Sequence, residues 1–279
     1  MITNPYTKAY DFTGQSIMIT GGGGVLCGEM ARGLFACGAN IVISDYNLLA
    51  AQKVVDSLQG APDTGRALAV EADVLQPESV TAAVETTLAE FGKIDGLING
   101  AGGNKPAATT SPEKLFFDLP QDAMRAVFEL NLLGTIIPSQ IIGRLMAERK
   151  QGVILNVSSM NSFRPLTLIP AYSSAKAGVS NFTQWLAVHM AQEYSPNIRV
   201  NAIAPGFFVT EQNRYLLIDK ETGQPTRRGQ KILDHTPMGR YGAPEDLIGA
   251  MLWLMSPASA FVTGIVVPVD GGFSAFSGV

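Results

Sequence analysis

Ser159, Tyr172 and Lys176 are the residues of this 279-residue chain whose types and spacing suit chemistry. A tyrosine and a lysine four positions apart share one helix face, so phenol and ammonium can meet over one substrate. A free phenol titrates near ~10, whereas a general acid or base must exchange its proton near neutral pH. A lysine cation beside it favours the phenolate and lowers that value. Ser159 follows the strand-like run 152–157 and offers a hydroxyl to a carbonyl oxygen. Such a set interconverts an alcohol and a carbonyl only with an external hydride carrier, so a cofactor site is expected in the same chain. The Tyr/Lys spacing alone is weak, because exposed helices carry it by chance; its value comes from what surrounds it.

The elements that must position these groups are short apolar runs alternating with helical periodicity, which implies a parallel sheet covered on both faces. Strand-like runs occupy 16–20, 40–44, 66–70, 152–157, 198–203 and 264–269, and Leu97-Ile98 anchors another. Helical patterns cover 26–37, 48–58, 77–91, 172–194 and 244–255. Residues 121–150 are mostly helical, and Pro138 is expected to kink or divide that helix. Two polar segments break the rhythm directly after strands: 105–120, and 207–241, which carries Gly223, Pro225 and Gly229 as breakers. Loops this long are usually lids or binding loops, and the carboxyl edge of such sheets is where ligands bind. Residues 207–241 are therefore expected to form a substrate lid, a disordered surface excursion being the alternative.

Thr20-Gly21-Gly22-Gly23-Gly24 joins the first strand to a helix opened by Val25 and Leu26. Backbone amides at a helix start bind phosphate, and glycine permits the close approach. Asp45 ends the second strand with no Arg or Lys among Ser44, Tyr46 and Asn47. A carboxylate there accepts hydrogen bonds from ribose hydroxyls and repels a 2′-phosphate, favouring NAD over NADP; the alternative is a solvent-exposed helix cap. Asp73-Val74 is placed to edge an adenine pocket, and Asn99-Gly100-Ala101-Gly102 brings small residues to the nucleotide. The expected fold is α/β, a Rossmann-type doubly wound parallel sheet of about seven strands in a single domain over 1–279.

Net charge of −4 and scattered basic residues leave no electrostatic footprint for nucleic acid. No apolar run reaches the ~20 residues of a membrane span, and 1–12 lacks a signal-peptide core, so a cytoplasmic protein is expected. Cys27 and Cys37, ten apart on one helix, stand too far apart for a disulfide. With His189 and His235 as the two histidines, no metal site is expected.

These pieces together resemble the short-chain dehydrogenase/reductase family over essentially the whole chain. Thr20 with its glycines, Asp45, Asp73-Val74, Asn99 to Gly102, Asn131, Ser159, Tyr172-x-x-x-Lys176, Pro205-Gly206 and Asp270-Gly271-Gly272 stand in the family's order. The resemblance implies Tyr172 as general acid/base and Lys176 as the group that lowers its pKa and holds the nicotinamide ribose. It implies Ser159, rather than Ser158, as the holder of the reacting oxygen. Asn131 would sit at a helix irregularity and hold a relay water. Pro205, Gly206, Phe208 and Thr210 would cup the nicotinamide. A homotetramer is implied, with a dimer second, paired through the apolar carboxyl end 248–253 and 261–269; those residues could equally fill the monomer core. The family's run T-G-x-x-x-G-x-G meets Val25 and Cys27 at its second and third glycines, so Gly24 and Gly28 are expected to substitute after a local shift. Cys27 is then either a small residue packed beneath the cofactor or a reactive thiol at a helix start.

A narrower resemblance, in segments such as Asn131-Leu132-Leu133-Gly134-Thr135 and Thr210-Glu211-Gln212-Asn213-Arg214, is to the subgroup labelled D-mannonate oxidoreductase, which implies a D-mannonate and D-fructuronate pair. Asn104, Lys105, Asn161, Arg164, Gln212, Asn213 and Arg214 are the candidate substrate contacts. Amides suit polyol hydroxyls, and a guanidinium suits a carboxylate. The runners-up are a dehydrogenase of another polyol or keto-sugar and a non-catalytic NAD(H) sensor.

Overall fold

The computed structural model describes residues 8–58, 65–210 and 214–278. In chain order these form β1 (Ser16–Thr20), α1 (Val25–Ala36), β2 (Asn40–Asp45), α2 (Leu48–Leu58), β3 (Ala67–Glu71), α3 (Pro77–Phe91) and β4 (Gly96–Asn99). They continue as α4 (Gln121–Phe128), α5 (Gly134–Arg149), β5 (Gly152–Val157), α6 (Pro170–His189) and β6 (Ile198–Pro205). The last are α7 (Arg214–Leu217), α8 (Arg227–Asp234), α9 (Ile248–Met255) and β7 (Val266–Val269). Among the described residues seven strands make one sheet, ordered β3-β2-β1-β4-β5-β6-β7 with every pair parallel. The order reverses between β1 and β4, which opens a crevice at their carboxyl ends.

The period of two along each strand sorts the core onto two faces. Ile17, Ile19, Ile41 and Ile43 pack with Met30 and Leu34 of α1, Val55 of α2 and Met251 of α9. Met18, Val42, Leu97 and Ile154 pack with Val84 of α3, Ile142 and Met146 of α5 and Leu186 of α6. All five β1 residues are buried, so this strand is the centre from which the nucleotide turn projects.

Three sequence expectations change. Pro138 lies inside an unbroken α5; the division falls upstream, in a π turn at Glu129–Leu133 where the Gly134 N–H reaches back to the Glu129 carbonyl. Segment 207–241 contains α7 and the amphipathic α8, started by the Thr226 hydroxyl accepting from Gly229 N–H at 3.0 Å. Gly229, which reads as a breaker, is required there: a Cβ would meet the Leu217 carbonyl oxygen at 2.1 Å. Finally, the composite helix Gln121–Arg149 does reach the length and mean hydropathy, 1.3, of a membrane span. Its buried side chains, Asn131, Ile142 and Met146 among them, face the protein's own core, as in a core helix.

Arg199, on β6, is buried with no carboxylate opposite it among the described residues. Its guanidinium donates to the Leu254, Ser256 and Val262 carbonyls and to Ser259 Oγ, and burial lowers its pKa. It thereby terminates α9 and ties it to β6. Arg199→Leu strands these acceptors, and each buried unpaired group costs about 1–3 kcal/mol. A loss of roughly 3 kcal/mol or more in chemical denaturation is expected, with kcat of the surviving folded protein retained.

Candidate active site

The β1–α1 turn lies against the β4 turn at a distance only glycine allows. Gly21 has φ +62°, and a Cβ on it would meet Ala101 backbone atoms at 2.7 Å. A Cβ on Gly23 would meet Ala50 at 2.8 Å and the Asp45 carboxylate at 3.0 Å. Gly24 is the N-cap of α1 and supplies no side-chain cap, so the helix start at Val25 and Leu26 presents bare backbone amides. Asp45 accepts from Gly23 N–H at 3.0 Å and Asn47 N–H at 2.8 Å. The cap of α2 is Asn47, whose Oδ1 accepts from Ala50 N–H at 3.2 Å. Tyr46 beside it is 76 % exposed. A bare helix start, glycines a Cβ would fill, and a carboxylate one strand away fit a dinucleotide.

The departure from the family's glycine spacing has a packing explanation. Cys27 turns inward beneath the β4 turn, where a Cβ on Gly100 would come 2.1 Å from its sulfur. Gly28 packs on Val54 of α2 and beside the Gly22 carbonyl of the turn. Burial pushes the Cys27 thiol up to about 12, which overturns the reactive-thiol alternative and leaves a small packed residue. Cys37 is also a free thiol.

Tyr172 and Lys176 project from the first two turns of α6. The Lys176 ammonium donates to the Val157 carbonyl at 2.8 Å and lies 5.8 Å from the Tyr172 ring centroid. Burial lowers its pKa to about 8. The Tyr172 phenol is pushed up by burial, while a hydrogen bond with Ser159 opposes the rise. Burial therefore dominates the phenol's shift, and the lysine ammonium is bonded to the Val157 carbonyl of β5. Ser158 is committed elsewhere, to the Lys176 carbonyl at 3.1 Å and Ser180 Oγ at 2.7 Å; Ser159 is the serine that meets the phenol.

Asn131 sits fully buried in the π turn. Its amide donates to the Gly103 and Val127 carbonyls at 2.7 and 2.8 Å and accepts from Gly103 N–H at 3.1 Å. Those bonds clamp the β4 loop, so any water this residue holds must use its main-chain carbonyl, which accepts from Thr135 Oγ1 at 2.9 Å. Gly102, the last of the four small residues read after β4, packs with them: a Cβ there would meet Asn131 Oδ1 at 2.7 Å and Lys176 Nζ at 3.1 Å. Asn99 donates through its amide to Ser139 Oγ and Asn156 Oδ1. Its neighbours Gly100 and Ala101 form the cradle wall.

Other candidates are spoken for by their own loops. Asp73 closes a turn with Leu75 N–H, and Val74 packs under Gly134. Gly206 lies where a Cβ would meet Asp270 at 2.6 Å, so Pro205-Gly206 passes tightly beside the last strand. The Phe208 ring is buried against Gly242. Thr210 precedes α7, and its carbonyl accepts the Arg214 N–H. Asn161 donates to Ser159 Oγ at 3.3 Å and accepts from Leu166 N–H at 3.1 Å, which shapes the serine loop. Asn104 bonds Thr109 Oγ1, and the Lys105 carbonyl accepts from the same threonine. Arg164 and Arg214 are exposed, Arg164 holding the Ser274 carbonyl through Nε at 3.1 Å. Gln212 and Asn213 lie outside the described residues.

A family model described as Enoyl-(Acyl carrier protein) reductase matches residues 26–274. The chain belongs to the short-chain dehydrogenase/reductase family. The members of this family are oxidoreductases that use NAD(P) and act on alcohol and ketone groups. A Haemophilus influenzae structure, provisionally named a D-mannonate oxidoreductase and holding NAD, is 47% identical with a TM-score of 0.91, covering 98% of this chain and 100% of that one. An uncharacterised oxidoreductase of Haemophilus influenzae is 48% identical over 97% of this chain and 96% of its own length. A 2-dehydro-3-deoxy-D-gluconate 5-dehydrogenase of Formosa agariphila is 35% identical over 96% of both chains.

Proposed function

We propose that this short-chain dehydrogenase/reductase uses NAD to interconvert a secondary alcohol and a ketone on a sugar acid, with D-mannonate and D-fructuronate as the pair. The observation that carries the reaction class is the convergence of Ser159, Tyr172 and Lys176 below a glycine-lined helix start. Asp45, bonded to the turn itself, favours NAD over NADP. The bound cofactor supplies or accepts the hydride. Ser159 and Tyr172 hold the substrate oxygen between two hydroxyls; Tyr172 gives that oxygen a proton in reduction and removes it in oxidation. Lys176, within reach of the phenol, offsets negative charge there when protonated. Two relatives carry sugar-acid names, and the exposed Arg164 on the serine loop offers a fork for a carboxylate.

Arg164→Ala should raise KM for the keto acid about tenfold or more, the worth of a charge-assisted pair, and leave KM for a neutral ketose unchanged. Equal effects on both would remove Arg164 from acid recognition. We place the enzyme in the cytoplasm as a homotetramer. Supporting the assembly are Trp185, Val188 and Leu133, which are 57%, 56% and 44% exposed on α6 and the π turn, too apolar a stripe to face water alone. Light scattering should give four times the 29.6 kDa chain mass; a monomer would refute it.

A further inference from the structure

The C-terminal turn that follows β7 touches both loops that flank the reacting groups. Asp270 folds it by accepting Gly272 N–H at 2.9 Å and Ser274 N–H at 2.8 Å. Gly271 and Gly272, with φ +64° and +88°, let it lie flat on Thr236, Pro237 and Met238, the segment after α8. Phe273 then sits edge-on to Phe207 at 5.2 Å and near the His235 ring at 6.4 Å, with Phe276 at 6.4 Å on the same histidine. His235 is itself fixed by its Nδ1 contact with the Lys231 carbonyl at 2.8 Å. On its other side the turn presents the Ser274 carbonyl to Arg164 Nε. One short segment thus joins the lid base, the strand-β6 loop and the loop carrying Ser159.

We propose that Phe273 is a positioning residue for acid recognition. By seating the turn between Phe207 and His235 it places the Ser274 carbonyl, which consumes Arg164 Nε and fixes the guanidinium plane. The two terminal nitrogens of Arg164 have no hydrogen-bond partner among the described residues and form the face a carboxylate would engage bidentately. The carboxylate part rests on the proposed sugar-acid function; the strap does not.

Phe273→Ala should raise KM for D-fructuronate about tenfold, leave its kcat and the KM for NADH nearly unchanged, and leave KM for a neutral ketose unchanged, the signature of lost binding rather than lost chemistry. Phe273→Leu, which keeps apolar bulk, should recover most of that loss. In an Arg164→Ala background Phe273→Ala should add nothing, because both act through one guanidinium. Parallel rises for acid and neutral substrates, or additive effects, overturn the proposal. Hydrogen exchange reads the strap without any substrate: Phe273→Ala should deprotect α8 and the loop after Ser159. Unchanged protection there overturns the strap, whereas deprotection with a wild type inert toward fructuronate faults only the sugar-acid reading. If Phe273→Ala does not fold, Asp270→Ala, which undoes the turn from within, is held to the same outcomes.

Discussion

Tyr172→Phe is expected to lower kcat by roughly 10²–10⁴-fold, the usual worth of a positioned general acid or base, while NADH binds as in the wild type. The ring remains in place and only the hydroxyl shared with Ser159 goes, so folding and the nucleotide cradle are untouched. Burial holds the phenol above its ordinary range. Reduction, which needs the protonated form, should therefore persist to high pH, whereas oxidation, which needs the phenolate, should gain only as the pH climbs. Stopped-flow turnover with NADH fluorescence titration checks both halves; a Phe variant with wild-type kcat would remove Tyr172 from the chemistry.

Lys176→Met is expected to abolish most turnover and yet stabilise the fold at neutral pH. Burial brings this lysine to about 8 from an ordinary 10.5. Between those values the unfolded chain binds more protons than the folded one, so stability rises with pH across that window. Below pH 8 both states are protonated and the folded protein carries the whole cost of burying the ammonium. Methionine removes that cost, so a gain of roughly 1–3 kcal/mol is expected at pH 7, shrinking toward pH 10. Activity should fall about 10²-fold or more because no cation faces the developing phenolate. Denaturant titrations from pH 7 to 10 check the slope; a destabilised, pH-independent variant would mean the Val157 bond outweighs burial.

What the sequence made legible and what it hid follow from the range of the interactions involved. Strand β1 and helix α3 were readable to the residue, because apolar runs and a proline at the first turn are local signals. The reacting trio was readable because Tyr172 and Lys176 lie on one helix and Ser159 closes a strand. The irregularity at Asn131 came from the family resemblance and from no residue type of its own; the packing of Asn131 against Gly103 reveals why the π turn is there. Helix α8 was hidden by Gly229, whose reason is the Leu217 carbonyl twelve residues earlier. Cys27 looked like a broken motif because its partner, the bare Cα of Gly100, lies seventy-three residues on. The substrate side was hardest: Asn161, Asn104 and Arg164 carry suitable groups, but whether a polar side chain faces a ligand or its own loop depends on contacts that composition does not encode.

The most direct measurement is NADH and NADPH oxidation by the purified protein with D-fructuronate, beside other keto-sugar acids, neutral ketoses and polyols. Rapid oxidation of NADH, not NADPH, with fructuronate and little with neutral ketoses is expected. Turnover confined to a neutral ketose, or a preference for NADPH, would contradict the sugar-acid assignment or the role of Asp45 respectively. NADH binding without turnover of any substrate in the panel would contradict the enzyme reading and favour a nucleotide sensor.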